Sequence, residues 1–182
     1  MIALLNKCLY ALLLGNQKII SMIKKEIPFT VEIYATSEEL TTADATLLAS
    51  ARTITSAAYA PYSNFKVGAA AMLSNGSIVT GTNQENASYP VGICAERVLL
   101  STVASQFGGV GIITMAISYD NLKGESKHPI SPCGICRQSL SEYEERTNQP
   151  IRIILSGLSG EVYIIEKAQQ LLPLTFSLWD IK

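Results

Sequence analysis

The chain has 182 residues, of which 48% are hydrophobic and 16% are charged, and its formal net charge is −1. This length and apolar content indicate a single folded domain and exclude a disordered chain. The near-neutral charge argues against a polycation that neutralises a nucleic-acid backbone, so a small polar substrate suits the composition better.

Residues 1–25 form an N-terminal extension that we set apart from the rest of the chain. Its apolar stretches are interrupted by Asn6, Lys7 and Gly15, so no window reaches the roughly 20 apolar residues of a membrane helix. It also lacks the basic start and small-residue cleavage site of a signal peptide. Three interpretations stay open: a signal or anchor, an amphipathic helix packed on the domain, or a translation start placed upstream of the true one at Met22. We predict one domain over residues 26–182 and no membrane partner.

The rest of the chain predicts alternating helices and strands. Residues 41–59 predict a helix capped by Thr41 or Thr42, and the Asn75-Gly76 pair predicts a hairpin turn between strands at 65–73 and 77–82. There follow a helix over 94–107, a strand over 110–119, a helix over 133–145, strands over 151–155 and 161–165, and a C-terminal helical piece. This order predicts a three-layer α/β/α domain with a central mixed five-stranded sheet.

Two short motifs carry three of the four cysteines, and each motif predicts the start of a helix. Cys94 begins the first motif, while Cys133 and Cys136 stand three residues apart in the second. If the two helices begin side by side, three sulfurs converge at helix N-termini, which stabilise thiolates. Three ligands leave the fourth tetrahedral position open, as in a catalytic zinc site. The sequence therefore predicts one Zn²⁺ ion per subunit, held by these three cysteines.

A fourth protein ligand would turn this site into a closed, structural one. Cys8 lies in the N-terminal extension, and His128, the only histidine, lies in a loop just before the second motif. We interpret His128 as a surface loop residue rather than a ligand, which leaves the open position to water.

Glu96 and Arg97 lie two and three positions after Cys94, close enough in sequence to act at the same metal centre. The carboxylate of Glu96 can lie near the open position, take a proton from zinc-activated water and pass it to a leaving nitrogen. Three thiolates give the centre an overall negative charge, which a cation bonded to the sulfurs would offset. We favour Arg97 for that role, with Arg137 either assisting it or lying on the surface.

A Cys-Ala-Glu motif followed roughly forty residues later by Pro-Cys-x-x-Cys is the arrangement found in zinc deaminases. The chain resembles the cytidine deaminase family, and in particular its small homotetrameric, three-cysteine branch. The matching stretches lie at residues 59–70, 81–90, 94–97, 131–138 and 171–176.

The resemblance implies roles that the residue pattern alone does not assign. Phe65 would stack near the pyrimidine, Asn83 and Glu85 would bind the ribose hydroxyls, and Ala95 would offer backbone contacts to the base. Phe176 would reach into the site of a neighbouring subunit, so the resemblance implies a homotetramer. The N-terminal extension is the one departure from the family pattern, and it bears on location rather than on chemistry.

The zinc motif and the resemblance together predict hydrolytic deamination of cytidine and deoxycytidine to uridine and deoxyuridine plus ammonia, for pyrimidine salvage in the cytoplasm. One alternative is a deaminase of another aminated nucleoside. A second is a non-catalytic zinc-binding module, which would need a fourth ligand and have no use for Glu96. Binding of nucleic acid is disfavoured because the chain has no basic run or aromatic series suited to a single strand.

Overall fold

A six-stranded mixed sheet forms the centre of the computed structural model, which describes residues 22–181. The strand order is β1-β6-β5-β4-β2-β3, in which β4 and β5 are parallel and the other neighbours antiparallel. The strands are β1 (Glu32–Tyr34), β2 (Phe65–Leu73), β3 (Ile78–Thr82), β4 (Ile112–Asn121), β5 (Arg152–Ser156) and β6 (Val162–Ile165).

Helices cover both faces of this sheet. Helix α1 (Thr42–Ile54) lies on one face, and helices α2 (Ala95–Gln106) and α3 (Gly134–Thr147) lie on the other. Successive strand residues alternate between the two sides, as a pleated strand requires: Ala116 packs with the α1 core, whereas Met115 packs with the α2 and α3 core. The predicted three-layer α/β class is therefore confirmed.

The prediction of five strands is wrong by one, because β1 was not expected. Strand β1 has only three residues and pairs antiparallel with β6, with Glu32 opposite Ile164. A run this short carries no readable alternation, and the open edge of β6 supplies its hydrogen-bond partners. The expected C-terminal helical piece consists of two short 3-10 helices, Ala168–Leu171 and Leu178–Asp180.

Residues 1–21 lie outside the described residues, so the three interpretations of the N-terminal extension, residues 1–25, stay open. Residues 22–31 have neither helix nor strand. No helix within residues 22–181 is both long and apolar enough to cross a lipid bilayer.

Gly81 allows α2 to approach β3 closely. A Cβ atom at this position would lie 2.6 Å from the carbonyl oxygen of Ala95 and 2.6 Å from the backbone nitrogen of Leu99. The first turn of α2 can therefore rest directly on the strand, which brings Cys94 to the end of β3. The zinc motif and the polar loop that follows β3 consequently share one end of the sheet.

The buried carboxylate of Glu144 fixes α3 to the rest of the chain. Its Oε1 accepts hydrogen bonds from the N–H groups of Ile151 at 2.7 Å and Ala168 at 2.9 Å, and its Oε2 accepts one from Gln169 at 2.9 Å. Burial raises the pKa of Glu144, and the three N–H donors oppose that rise. Helix α3 is thereby tied both to the start of β5 and to the 3-10 helix Ala168–Leu171.

We expect Glu144→Ala to lower the free energy of unfolding by about 3 kcal/mol, because it leaves buried N–H donors without an acceptor. Glu142→Ala is the matched control on the same helix, since Glu142 has no hydrogen bond or ion pair with any described residue. The control should shift stability by less than about 0.5 kcal/mol. Equal denaturation midpoints for the two variants, followed by circular dichroism, would contradict this assignment.

Candidate functional site

Three cysteine sulfurs converge where α2 and α3 begin. Cys94 and Cys133 are the N-cap residues of the two helices, and Cys136 lies in the first turn of α3. The Sγ atom of Cys133 is 3.7 Å from that of Cys94 and 3.5 Å from that of Cys136. All three sulfurs lie within 4.8 Å of one another. A tetrahedral zinc ion with bonds of about 2.3 Å separates its sulfurs by about 3.8 Å, so the spacing fits this metal.

The pKa values of two of these thiols move in opposite directions because the thiols are hydrogen-bonded to each other. The pKa of Cys94 is lowered to about 6, chiefly by its hydrogen bond with Cys136 and less by Cys133 and the charge of Arg97. The pKa of Cys136 is raised by the same hydrogen bond with Cys94 and by burial. Of these two thiols, Cys94 therefore ionises at the lower pH. Zinc binding must displace the proton that Cys136 retains.

A cavity of about 320 Å³ opens beside these sulfurs. This volume lies in the range of small-molecule sites. Glu96 lines the cavity and is only 4% exposed, and burial raises the pKa of its carboxyl group. The other lining residues are Val67, Asn83, Gln84, Glu85, Tyr89, Gly92, Ile93, Cys94, Ala95, Ile130, Ser131 and Cys133. Two thiols, a buried carboxyl and mixed polar and apolar walls therefore meet in one open cleft.

A larger cavity, of about 590 Å³, lies between residues 27–29 and residues 167–179. Its described lining contains none of the clustered cysteines. The smaller cavity is the better candidate for an active site because the ionisable and metal-binding groups line it.

Asn83 and Glu85, both predicted to bind substrate, line the smaller cavity and are held by backbone groups. The amide of Asn83 accepts a hydrogen bond from the N–H of Val67 at 2.7 Å and donates one to the carbonyl of Phe65 at 2.9 Å. The Oε2 atom of Glu85 accepts from the N–H of Tyr62 at 2.9 Å. Hydrogen bonds from the side chain of Ser63 and from the backbone lower the pKa of Glu85, so this carboxylate is ionised at neutral pH.

Phe65 and Phe176 do not belong to the described lining of this cavity. The ring of Phe65 stacks on Tyr119, with centroids 4.8 Å apart and planes inclined by 15°. Phe176 is 61% exposed, and its carbonyl accepts a hydrogen bond from Nε2 of Gln138 at 2.8 Å. His128 lies outside the cysteine cluster; it is exposed, and its Nδ1 is 3.2 Å from the hydroxyl of Tyr119.

The two candidate arginines have different surroundings. Arg97 exerts an electrostatic effect on Cys94, whose pKa it helps to lower. Arg137 instead donates to backbone carbonyls, from Nε to Pro132 at 2.8 Å and from Nη1 to Leu171 at 2.9 Å. These hydrogen bonds differ from both interpretations made from the sequence, because the guanidinium of Arg137 binds neither a sulfur nor only solvent. The sequence could not predict these partners, because any residue type can supply a backbone carbonyl and one partner lies 34 positions away.

The fold and the cysteine cluster have counterparts among known proteins. The family model described as the cytidine and deoxycytidylate deaminase zinc-binding region matches residues 41–148. The chain belongs to this family. The family resemblance, the zinc cofactor and the zinc-dependent deaminase class predicted from the sequence are thereby confirmed.

Members of the deaminase family match most of the chain. The cytidine deaminase of Halalkalibacterium halodurans is 37% identical over 124 residues, which are 68% of this chain and 86% of that protein. The cytidine deaminase of Sporosarcina psychrophila is 35% identical over 74% of this chain and 92% of its own length. The crystal structure of cytidine deaminase from Burkholderia pseudomallei aligns with a TM-score of 0.63 and 36% identity, over 75% of this chain and 100% of that chain.

We expect the purified protein to bind one zinc ion per chain, and Cys136→Ala to lose it. Removal of a ligand should weaken zinc binding by more than the roughly 10- to 100-fold that the loss of an outer partner costs. Cys8→Ala, which changes the cysteine of the N-terminal extension, is the control and should retain zinc. Competition with a chromogenic chelator measures both. Full zinc in Cys136→Ala, or zinc loss in Cys8→Ala, would overturn the ligand set.

Proposed function

We propose that this protein hydrolyses cytidine and deoxycytidine to uridine and deoxyuridine, with release of ammonia. The observation that carries the proposal is the meeting of the three-cysteine cluster with the buried Glu96 at one cavity of about 320 Å³. Family members that match most of this chain are named cytidine deaminase. A nucleoside is of a size that such a cavity accommodates.

Cys94, Cys133 and Cys136 are the proposed ligands of the zinc ion. When bound, zinc supplies a Lewis acid that makes a water molecule nucleophilic near neutral pH. Three protein ligands leave one tetrahedral position for that water. Arg97 offsets part of the thiolate charge, as its effect on the pKa of Cys94 supports.

Glu96 is the proposed proton carrier. Burial raises the pKa of its carboxyl group, which moves it toward the pH at which a group can both accept and donate a proton. Glu96 takes a proton from the attacking water and delivers it to N3 of the ring, then takes the remaining proton from the new hydroxyl group on C4 and transfers it to the leaving amine. The water oxygen becomes bonded to C4, the bond from C4 to the exocyclic nitrogen breaks, and ammonia leaves.

Other residues that line the same cavity are proposed to hold the nucleoside. Glu85 is ionised and can accept hydrogen bonds from ribose hydroxyls, with Asn83 beside it on the same loop. Ala95 precedes Glu96 at the start of α2 and offers backbone groups to the base. Phe65 is proposed to lie near the pyrimidine on the family resemblance, and its backbone link to Asn83 supports that placement.

The assembly is proposed to be a homotetramer in which Phe176 enters a neighbouring site. The exposure of this ring and its absence from the described cavity lining of its own chain support that role. We further propose that residues 26–182 act as a single domain in the cytoplasm, without nucleic acid or membrane partners. The three unpaired cysteines of the site support a reducing compartment.

Glu96→Gln should retain zinc and fold, because the carboxyl group is not a ligand, yet lower kcat by about 100- to 10,000-fold. The loss of cytidine absorbance follows turnover, and metal analysis follows zinc. Glu142→Gln, on α3, is the charge-matched control and should keep wild-type rates. A Glu96→Gln variant with more than a tenth of the wild-type kcat would remove this residue from proton transfer.

A substrate panel separates the proposed reaction from its alternatives. With zinc bound, we expect turnover of cytidine and deoxycytidine and far weaker turnover of cytosine and CMP, because Asn83 and Glu85 favour a free nucleoside. An aminonucleoside antibiotic should also be turned over far more weakly than cytidine. Preference for the antibiotic would redirect the proposal to another aminated nucleoside. Full zinc without turnover of any of the five compounds would favour a non-catalytic zinc module.

A further inference from the structure

Helix α3 carries two of the clustered cysteines and also holds the chain's C-terminal segment, defined here as residues 168–176. The segment begins at N–H groups bound by Glu144, near the C-terminal end of the helix. It ends beside the first turns of the helix, where Nε2 of Gln138 donates to the carbonyl of Phe176 at 2.8 Å. The hydroxyl of Thr175 donates to Oε1 of Gln138 at 3.3 Å. The segment therefore runs back along α3 toward the cysteines.

Arg137 connects the middle of this segment to the cysteine loop. Its Nε donates to the carbonyl of Pro132 at 2.8 Å, and its Nη1 donates to the carbonyl of Leu171 at 2.9 Å. The first carbonyl belongs to the peptide unit that immediately precedes Cys133. A guanidinium is planar and rigid, so the two hydrogen bonds fix the two carbonyls relative to each other.

The peptide before Cys133 is a sensitive point in the site. Cys133 is the exposed member of the cysteine cluster, and as the N-cap residue of α3 it has no side-chain cap hydrogen bond. Ile130 and Ser131, in the same loop, line the cavity. A rotation of the peptide after Pro132 would therefore move both a sulfur and part of the cavity wall.

We propose that Arg137 is a positioning residue that sets Cys133 and the C-terminal segment together, so that zinc retention and the placement of Phe176 depend on one side chain. Arg137 acts through geometry rather than charge, because its two hydrogen bonds go to carbonyls. Gln138 sets only the end of the segment. The consequence for substrate binding rests on the proposed function, whereas the consequences for zinc and for the segment do not.

The test compares variants of the full chain in two measurements that need no substrate: the rate of zinc release to a chelator, and hydrogen exchange of residues 168–176. Arg137→Met removes all donors. Arg137→Lys retains the charge but has no planar fork with which to span both carbonyls. Arg146→Met is the matched control, because Arg146 lies on the same helix, is exposed, and has its guanidinium 4.6 Å from the ring centroid of Tyr143.

Both Arg137 variants should release zinc about 10-fold faster, in the range found for loss of an outer partner, and should exchange faster across the segment. Gln138→Met should raise exchange near residues 175–176 and leave zinc release unchanged. Arg146→Met should change neither. If Arg137→Met does not fold, Arg137→Lys carries the same comparison.

The proposal is overturned if Arg137→Lys releases zinc at the wild-type rate, since charge alone would then suffice. It is also overturned if zinc release and segment exchange do not change together in the Arg137 variants. With cytidine, Gln138→Met should raise KM several-fold and leave kcat within twofold. If KM is unchanged while hydrogen exchange is faster, the C-terminal segment does not contribute to substrate binding. Absence of turnover in the wild type would count against the proposed function alone.

Discussion

The rest of the structure depends on one constraint: three thiols must lie within bonding distance of a single metal ion. As thiolates they would repel one another without a cation between them, so two helix N-termini must be brought together and held there. Gly81 lets α2 rest on β3, and Glu144 ties α3 to β5 and to the segment that follows β6. The helix starts that carry the cysteines are thus positioned by packing on the sheet, and the Arg137 contacts to Pro132 and Leu171 add support from the loop before Cys133.

We propose that the two arginines that follow the cysteine motifs support this centre in different ways. Arg97 acts through its charge, which lowers the pKa of Cys94. Arg137 has its donors bound to the carbonyls of Pro132 and Leu171 and acts through position. An all-thiolate site needs both kinds of support, because excess negative charge weakens the metal as a Lewis acid and a displaced sulfur weakens its binding.

Much of this organisation could be predicted from the sequence, because local patterns determine it. Helical periodicity and the Asn75-Gly76 turn located α1 and the β2–β3 hairpin, and the cysteine spacing located the metal centre. Strand β1 could not be predicted, since it exists only through its pairing with β6. The partners of Glu144 and Arg137 could not be predicted either, because they are backbone groups brought close by tertiary packing. The stacking of Phe65 on Tyr119 has the same origin.

In the proposed mechanism, catalysis depends on one zinc ion in an open three-cysteine site. The most direct test is a titration of metal-free protein with zinc while the initial rate of cytidine deamination is measured. The rate should rise linearly from zero and reach a plateau at one zinc ion per chain. A metal-free protein that is fully active, or a rate that stays at zero once one zinc ion per chain is bound, would contradict it.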